Sequence, residues 1–154
     1  MQNAAAVKRS RRLVGVDAVR SALMRRIRGK NSKPELVVRK IAHSLGYRFR
    51  LHCRNLPGTP DLVFPRLHKA VFVHGCFWHR HPGCYRTTTP KTRARYWTQK
   101  FRENVSRDAI KEAQLRALGW RVCVIWECET FNKNSLTRTL KAFLKGPRER
   151  KSPS

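Results

Sequence analysis

Three metal-ligating side chains within nine positions constrain this chain more than any other feature. Cys76, His81 and Cys84 stand at C-x4-H-x2-C spacing inside the stretch HGCFWHRHPGC. A closed tetrahedral site needs a fourth ligand, so the fold must bring a distant residue back to this loop. Cys128 and Cys53 are the candidates. Cys123 lies inside the apolar run WRVCVIWEC and reads as a small core residue. Cys128 is the better choice, because WEC emerges from the end of that strand. Three cysteines and one histidine with no open position make a structural Zn²⁺ site, not a catalytic one. The five cysteines therefore point to metal and not to disulfides.

Charge sets the partner. Thirty-five Lys and Arg face nine Asp and Glu, a net charge of +26 over 154 residues. Such an imbalance calls for a polyanion, and nucleic acid is the expected one. A merely solubilising surface mixes both signs. Near phosphate each carboxylate is repelled unless it has a task, so the scarce acids are candidates for Mg²⁺ ligands: Asp17, Glu35, Asp61, Glu103, Asp108, Glu112, Glu127, Glu129 and Glu149. No run reaches transmembrane length and no apolar signal core opens the chain, so a bacterial cytoplasmic, nucleoid-associated protein is expected.

The pattern along the chain is α-β-β-β-α-β-α, one mixed α/β domain. Residues 1–20 read as a flexible basic arm, 21–145 as the domain and 146–154 as a basic tail. Residues 17–28 form a short basic helix carrying Met24. Ser32, Pro34 and Glu35 make a helix start with a capping box, and Gly46 ends that helix. YRFRLH, DLVF and AVFVH read as strands, the last two as a hairpin about Leu67. A long helix spans about Tyr96 to Leu118. WRVCVIWEC is apolar almost throughout and is expected to be central and buried. Residues 135–145 form the last helix. No apolar helical stripe is left over, so a monomer is expected.

In a hairpin about Leu67, partners sum to about 134 or 135. Asp61 then lies beside Val73 and His74, and a carboxylate, a strand-end carbonyl and a histidine meet at one sheet edge. Mg²⁺ accepts such a set, since it takes few protein oxygens and keeps waters and substrate phosphate. Turn chemistry alone also explains Asp61, and the capping box alone explains Glu35. His74 and His79 fall outside the zinc set, and a neutral histidine is a general base near pH 7. His79 has two other readings, a second zinc ligand or a phosphate contact. Phe77 and Trp78 are adjacent in a basic loop and can stack on bases or wedge between base pairs, joined by Trp97.

The segments MRRIRGKNSKPEL, LPGTPDLVF, VFVHGCFWHRH, YWTQKFRENVSRD and LGWRVCVIWEC together resemble the very short patch repair (Vsr) endonucleases, over about residues 24–128. The resemblance implies a restriction-endonuclease-like core of the PD-(D/E)xK type. It implies Mg²⁺-dependent nicking of double-stranded DNA, 5′ to the mispaired thymine of a T:G mismatch left by deamination of 5-methylcytosine. Asp61 matches the Mg²⁺-binding aspartate, with the Val73 backbone carbonyl as a second ligand. His79 matches the catalytic histidine, and Glu35 and His74 the pair that orders the hydrated metal. Cys76, His81, Cys84 and Cys128 match the zinc ligands. Phe77, Trp78 and Trp97 match the wedging aromatics, Met24 the residue inserted from the minor groove, and Lys100 and Asn104 the positions touching the mispaired bases. Mismatch-repair proteins are further candidate partners. Three rivals remain on the residues alone: a zinc-stabilised DNA-binding module, a nuclease of intact duplexes, and a ribosomal-type RNA-binding protein. Glu127 and Glu129 have no role at this stage.

Overall fold

The computed structural model describes residues 30–147, and the compact unit of interest begins at Lys33. Met24 with its expected helix, the N-terminal arm and most of the tail lie outside the described residues. The elements are α1 (Lys33–Ser44), β1 (Arg50–Leu51), β2 (Leu62–Phe64), β3 (Lys69–His74), a one-turn α2 (Cys76–His79), α3 (Ala94–Ala117), β4 (Arg121–Trp126) and α4 (Lys133–Lys145). Tight 3-10 turns occupy Pro65–Leu67 and Glu127–Phe131. The sheet runs in the order β1-β2-β3-β4, antiparallel except for the parallel pair β3/β4.

The structure corrects three expectations. The strand expected over YRFRLH shortens to Arg50–Leu51. The hairpin partners sum to 133, as in Leu62↔Val71 and Phe64↔Lys69. The cause is the Pro65–Leu67 turn, which His68 closes in the left-handed region (φ 56°), so that β3 starts at Lys69. Register alone thus sets Asp61 opposite Phe72 and not Val73. Third, WRVCVIWEC is an edge strand and not a central one. Nor is it buried throughout: of Arg121–Trp126 only Ile125 is fully buried and the rest are half-buried. The most buried strands are β2 and β3.

The core lies on one face of the sheet. Val38, Ile41 and Ala42 of α1 and Leu136, Leu140 and Leu144 of α4 recur every three or four residues and enclose Leu62, Phe64, Val71 and Ile125. Lys69 enters this side fully buried. Its Nζ donates to the carbonyls of Phe143, Leu144 and Gly146 at 2.7, 2.9 and 2.6 Å. The ammonium thus closes the carbonyl end of α4, where the helix dipole is negative. Alternation along β3 sends Ala70, Phe72 and His74 to the other face. There Gly58 (φ 74°) passes so close to α3 that an added Cβ would sit 2.9 Å from Lys111 Cβ. Among the described residues no helix is long and apolar enough to cross a membrane.

Candidate active site and metal centre

The parallel register His74↔Trp126 decides where the cysteines meet. Cys76 and Cys128 each lie two residues beyond that pair, so both chains leave the sheet side by side. Cys76, His81, Cys84 and Cys128 offer ligand atoms that all lie within 4.8 Å of one another. His81 Nδ1 is 3.7 Å from Cys76 Sγ and 3.4 Å from Cys128 Sγ. A tetrahedral ion at ordinary Zn–S and Zn–N lengths would set these edges at about 3.5 Å, so the donor set fits. Burial pushes the Cys76 thiol up to about 12, and burial also raises Cys128. The Arg86 backbone N–H lowers Cys84. Without a cation the three cannot all be thiolates.

Glu127 and Glu129 now have a structural task. Glu129 Oε2 accepts the Trp126 backbone N–H at 2.7 Å, and Arg86 donates to Glu127 at 3.0 Å. These bonds hold the turn that carries Cys128. The His81 ring stacks on Trp126 at 4.3 Å, and Thr87 Oγ1 donates to the His81 carbonyl at 2.8 Å.

A second group gathers Glu35, His52 and Asp61 from α1, the end of β1 and the approach to β2. Glu35 is almost fully buried and pairs with Arg39 one helical turn on. His52 Nε2 lies 2.5 Å from Glu35 Oε1 and 3.9 Å from Asp61 Oδ1. The Val73 N–H donates to Asp61 Oδ2 at 2.7 Å, which restores the expected Asp61–Val73 contact despite the shifted register. Burial pushes the Asp61 carboxyl up to about 6, against the Val73 bond and with the help of the Glu35 charge. Such a carboxyl is poised for a cation that would relieve both effects.

A third group joins His74, His79 and Asp108. The two imidazoles stack at 3.9 Å and 7°. Asp108 Oδ2 lies 2.6 Å from His79 Nδ1. Beside a carboxylate the Nδ1–H tautomer is favoured, which leaves Nε2 as the lone-pair nitrogen. Burial holds His74 down at about 4, with His79 adding to the shift, so His74 is neutral at pH 7. The charge of His79 in turn lowers Asp61, which places the second and third groups in one field.

Phe77, Trp78 and Trp97 form one half-buried cluster, with the buried Phe101 behind them. Phe77 meets Trp78, Trp97 and Phe101 at 5.1, 6.0 and 5.2 Å. Arg80 covers Phe101 at 3.9 Å. Asn104 Nδ2 donates to the Trp78 carbonyl at 3.3 Å, tying α2 to α3. Lys100 is half-buried on the same helix.

The reading of the sequence missed His52, and it named Asp108 only among the scarce acids, without its pairing to His79. A signal existed for Asp108. Trp97, Phe101, Asn104 and Asp108 recur at helical spacing and form one stripe of α3. No comparable signal marks His52, which follows the two-residue strand Arg50–Leu51.

Paired carboxylate–imidazole groups next to a sulfur–nitrogen cluster, in a chain this basic, are the groups a metal-assisted hydrolase of phosphodiester bonds would use. The DNA mismatch endonuclease Vsr family model matches residues 14–86. A protein named Type II nicking enzyme V.XorIIP, from Xanthomonas oryzae pv. oryzae, is 51% identical over 125 residues, covering 81% of this chain and 91% of that one. Type II nicking enzyme V.NmeAIP of Neisseria meningitidis is 38% identical over 129 residues, 79% of this chain and 91% of that one. The DNA mismatch endonuclease Vsr of Escherichia coli is 38% identical over 120 residues, 78% and 76% of the two chains. This chain belongs to the DNA mismatch endonuclease Vsr family and is a DNA-cleaving hydrolase.

Proposed function

We propose that this protein recognises a T:G mismatch in double-stranded DNA and nicks one strand 5′ to the mispaired thymine, with Mg²⁺, to begin very short patch repair in the bacterial cytoplasm. The observation that carries the reading is the convergence of two carboxylate–histidine groups at one end of the sheet, in a chain whose relatives bear the names mismatch endonuclease and nicking enzyme. The core is then of the PD-(D/E)xK type with histidines in place of the usual lysine.

Asp61 and the Val73 carbonyl would hold the ion, and Glu35 and His74 would order its water shell. When bound, Mg²⁺ supplies charge neutralisation at the phosphate and acidifies water. The protein does the rest. His79 Nε2 takes the proton of the attacking water, because Asp108 occupies Nδ1. His74, neutral and stacked on His79, holds the plane of the ring without competing for that proton. The P–O3′ bond breaks, leaving a 5′-phosphate and a 3′-hydroxyl. The closed Cys76–His81–Cys84–Cys128 centre holds zinc and fixes α2, which carries both His79 and the aromatic pair.

Recognition draws on deformability. A wobble pair stacks less well, so parting the steps beside it costs less. Phe77, Trp78 and Trp97 enter the duplex there, Met24 enters from the minor groove, and Lys100 and Asn104 read the pair. The +26 charge drives a salt-dependent attraction to the backbone. The test is a labelled duplex with one T:G pair beside its T:A control, in Mg²⁺. The reading predicts a single nick on the thymine strand of the T:G duplex alone, with a 5′-phosphate end. Equal cutting of both duplexes overturns the mismatch specificity, and binding without cutting overturns the enzyme.

A further inference from the structure

We infer that His52 is itself a metal ligand. Glu35, His52 and Asp61 then make a mixed oxygen–nitrogen site that prefers a borderline ion such as Mn²⁺ to Mg²⁺. This rests on the reading of Asp61 as the metal-holding aspartate and adds to it the nature of the ion.

The geometry gathers one donor atom each from Glu35, His52 and Asp61 within 4.8 Å of one another. Glu35 already has Arg39 beside it, so the imidazole is not needed to neutralise that carboxylate. His52 Nε2 sits between two carboxylates of different elements, 2.5 Å from one and 3.9 Å from the other. Adjacent ligands of a six-coordinate ion lie about 3 Å apart and opposite ones about 4.2 Å. The 2.5 Å contact is a hydrogen bond that a bound ion would replace, opening that edge by about half an ångström, and the 3.9 Å edge would have to widen by about 0.3 Å to become an opposite pair. The backbone delivers the ring to this place. His52 adopts a left-handed conformation (φ 47°) unusual for a side chain of its size, and its N–H donates to the Asp61 carbonyl at 3.2 Å. Asp61 thus anchors the residue whose ring it faces.

The ligand type sets the preference. Mg²⁺ takes oxygen ligands and keeps its waters, whereas an imidazole nitrogen favours first-row transition ions. A site of two carboxylates and one imidazole has the donor set for Mn²⁺ with room left for water and phosphate. Replacing His52 by Gln keeps a polar head of similar reach and removes the nitrogen ligand.

The experiment uses the full chain with its cysteine centre filled by zinc. Mn²⁺ binding is followed by electron paramagnetic resonance, with Mg²⁺ as competitor, and pulsed measurements read nitrogen coupling to the bound Mn²⁺. We expect nitrogen coupling in the wild type, unchanged in His74→Gln and lost in His52→Gln. His52→Gln should also weaken Mn²⁺ about tenfold and Mg²⁺ by less than about threefold. Wild type without nitrogen coupling, coupling that survives in His52→Gln or vanishes in His74→Gln, or equal weakening of both ions overturns the role of His52. Asp61→Asn separates the two readings: it should abolish Mn²⁺ binding, and if it binds as the wild type does, the assignment of Asp61 itself fails.

Discussion

The cysteine centre and the carboxylate–histidine groups lie at the same end of one sheet, yet they are built on opposite rules. The first is closed: three thiols and one imidazole, three of the four within nine residues, all turned on one another. The second is open: hard oxygens and imidazoles drawn from α1, the bend after β1, the approach to β2, β3, α2 and α3, with charge left unsettled at Asp61 and His74. Their junction is α2, whose four residues Cys76–His79 carry a thiol of the first group at one end and an imidazole of the second at the other. The closed centre supplies rigidity, and the open one uses it. A four-residue helix could not hold His79 by its own hydrogen bonds.

The sharpest way to break this comparison is to open the closed centre. Cys128→Ser should cost of order 4 kcal/mol or more of stability, about 10 °C in Tm by thermal denaturation. It should remove nicking as well, because His79 loses its anchor. An unchanged Tm would show that the four residues hold nothing. Next in size is Asp108→Asn, which leaves the fold intact but frees the tautomer of His79. We expect the single-turnover nicking rate to fall by about 10²–10³, while DNA binding stays the same or tightens because one negative charge is gone. A loss of binding in parallel would make Asp108 part of the grip and not of the chemistry.

The unsettled charges give a pH signature. Asp61 binds its proton more tightly folded than unfolded, so its contribution to stability is present below about pH 4 and is lost as pH rises through about 6. His74 works in reverse: it stays neutral when folded, and stability is lost as pH falls from 6.5 toward about 4. Each amounts to about 3 kcal/mol at most, and in the wild type the two oppose each other between pH 4 and 6. Asp61→Asn should therefore be more stable than the wild type at pH 7.5 without added divalent ion. Its urea midpoint should climb with pH from 4 to 6.5. Flat profiles in both proteins would count against the burial of these charges.

The smallest effect belongs to a buried ion that serves neither centre. Lys69→Met removes the ammonium from the carbonyl end of α4 and should cost about 2 kcal/mol, read by urea denaturation, with nicking unchanged. Loss of activity there would mean that the core face and the site are coupled.

Much of the site was legible in the chain, and physics explains which parts. Cys76, His81 and Cys84 are local, and one short loop sets their distances. Cys128 could be chosen because a strand end is a predictable exit. Glu35, Asp61, His74 and His79 became candidates through scarcity of acids and nearness to strand ends. His52 stayed hidden because its position depends on a left-handed backbone that only the fold imposes. The hairpin register was missed because a 3-10 turn spends its residues differently from a symmetric loop. WRVCVIWEC was placed centrally because an apolar run reads as buried, whereas the fold leaves it at the sheet edge with only Ile125 fully buried.

The most direct test of the account is Asp61→Asn, zinc-loaded, on a duplex with one T:G pair, with rate and affinity measured on the same preparation. The account predicts a single-turnover rate lower by about 10³ or more, with Kd for that duplex within about threefold of the wild type. A rate near that of the wild type, or a Kd that weakens in step with the rate, would contradict it.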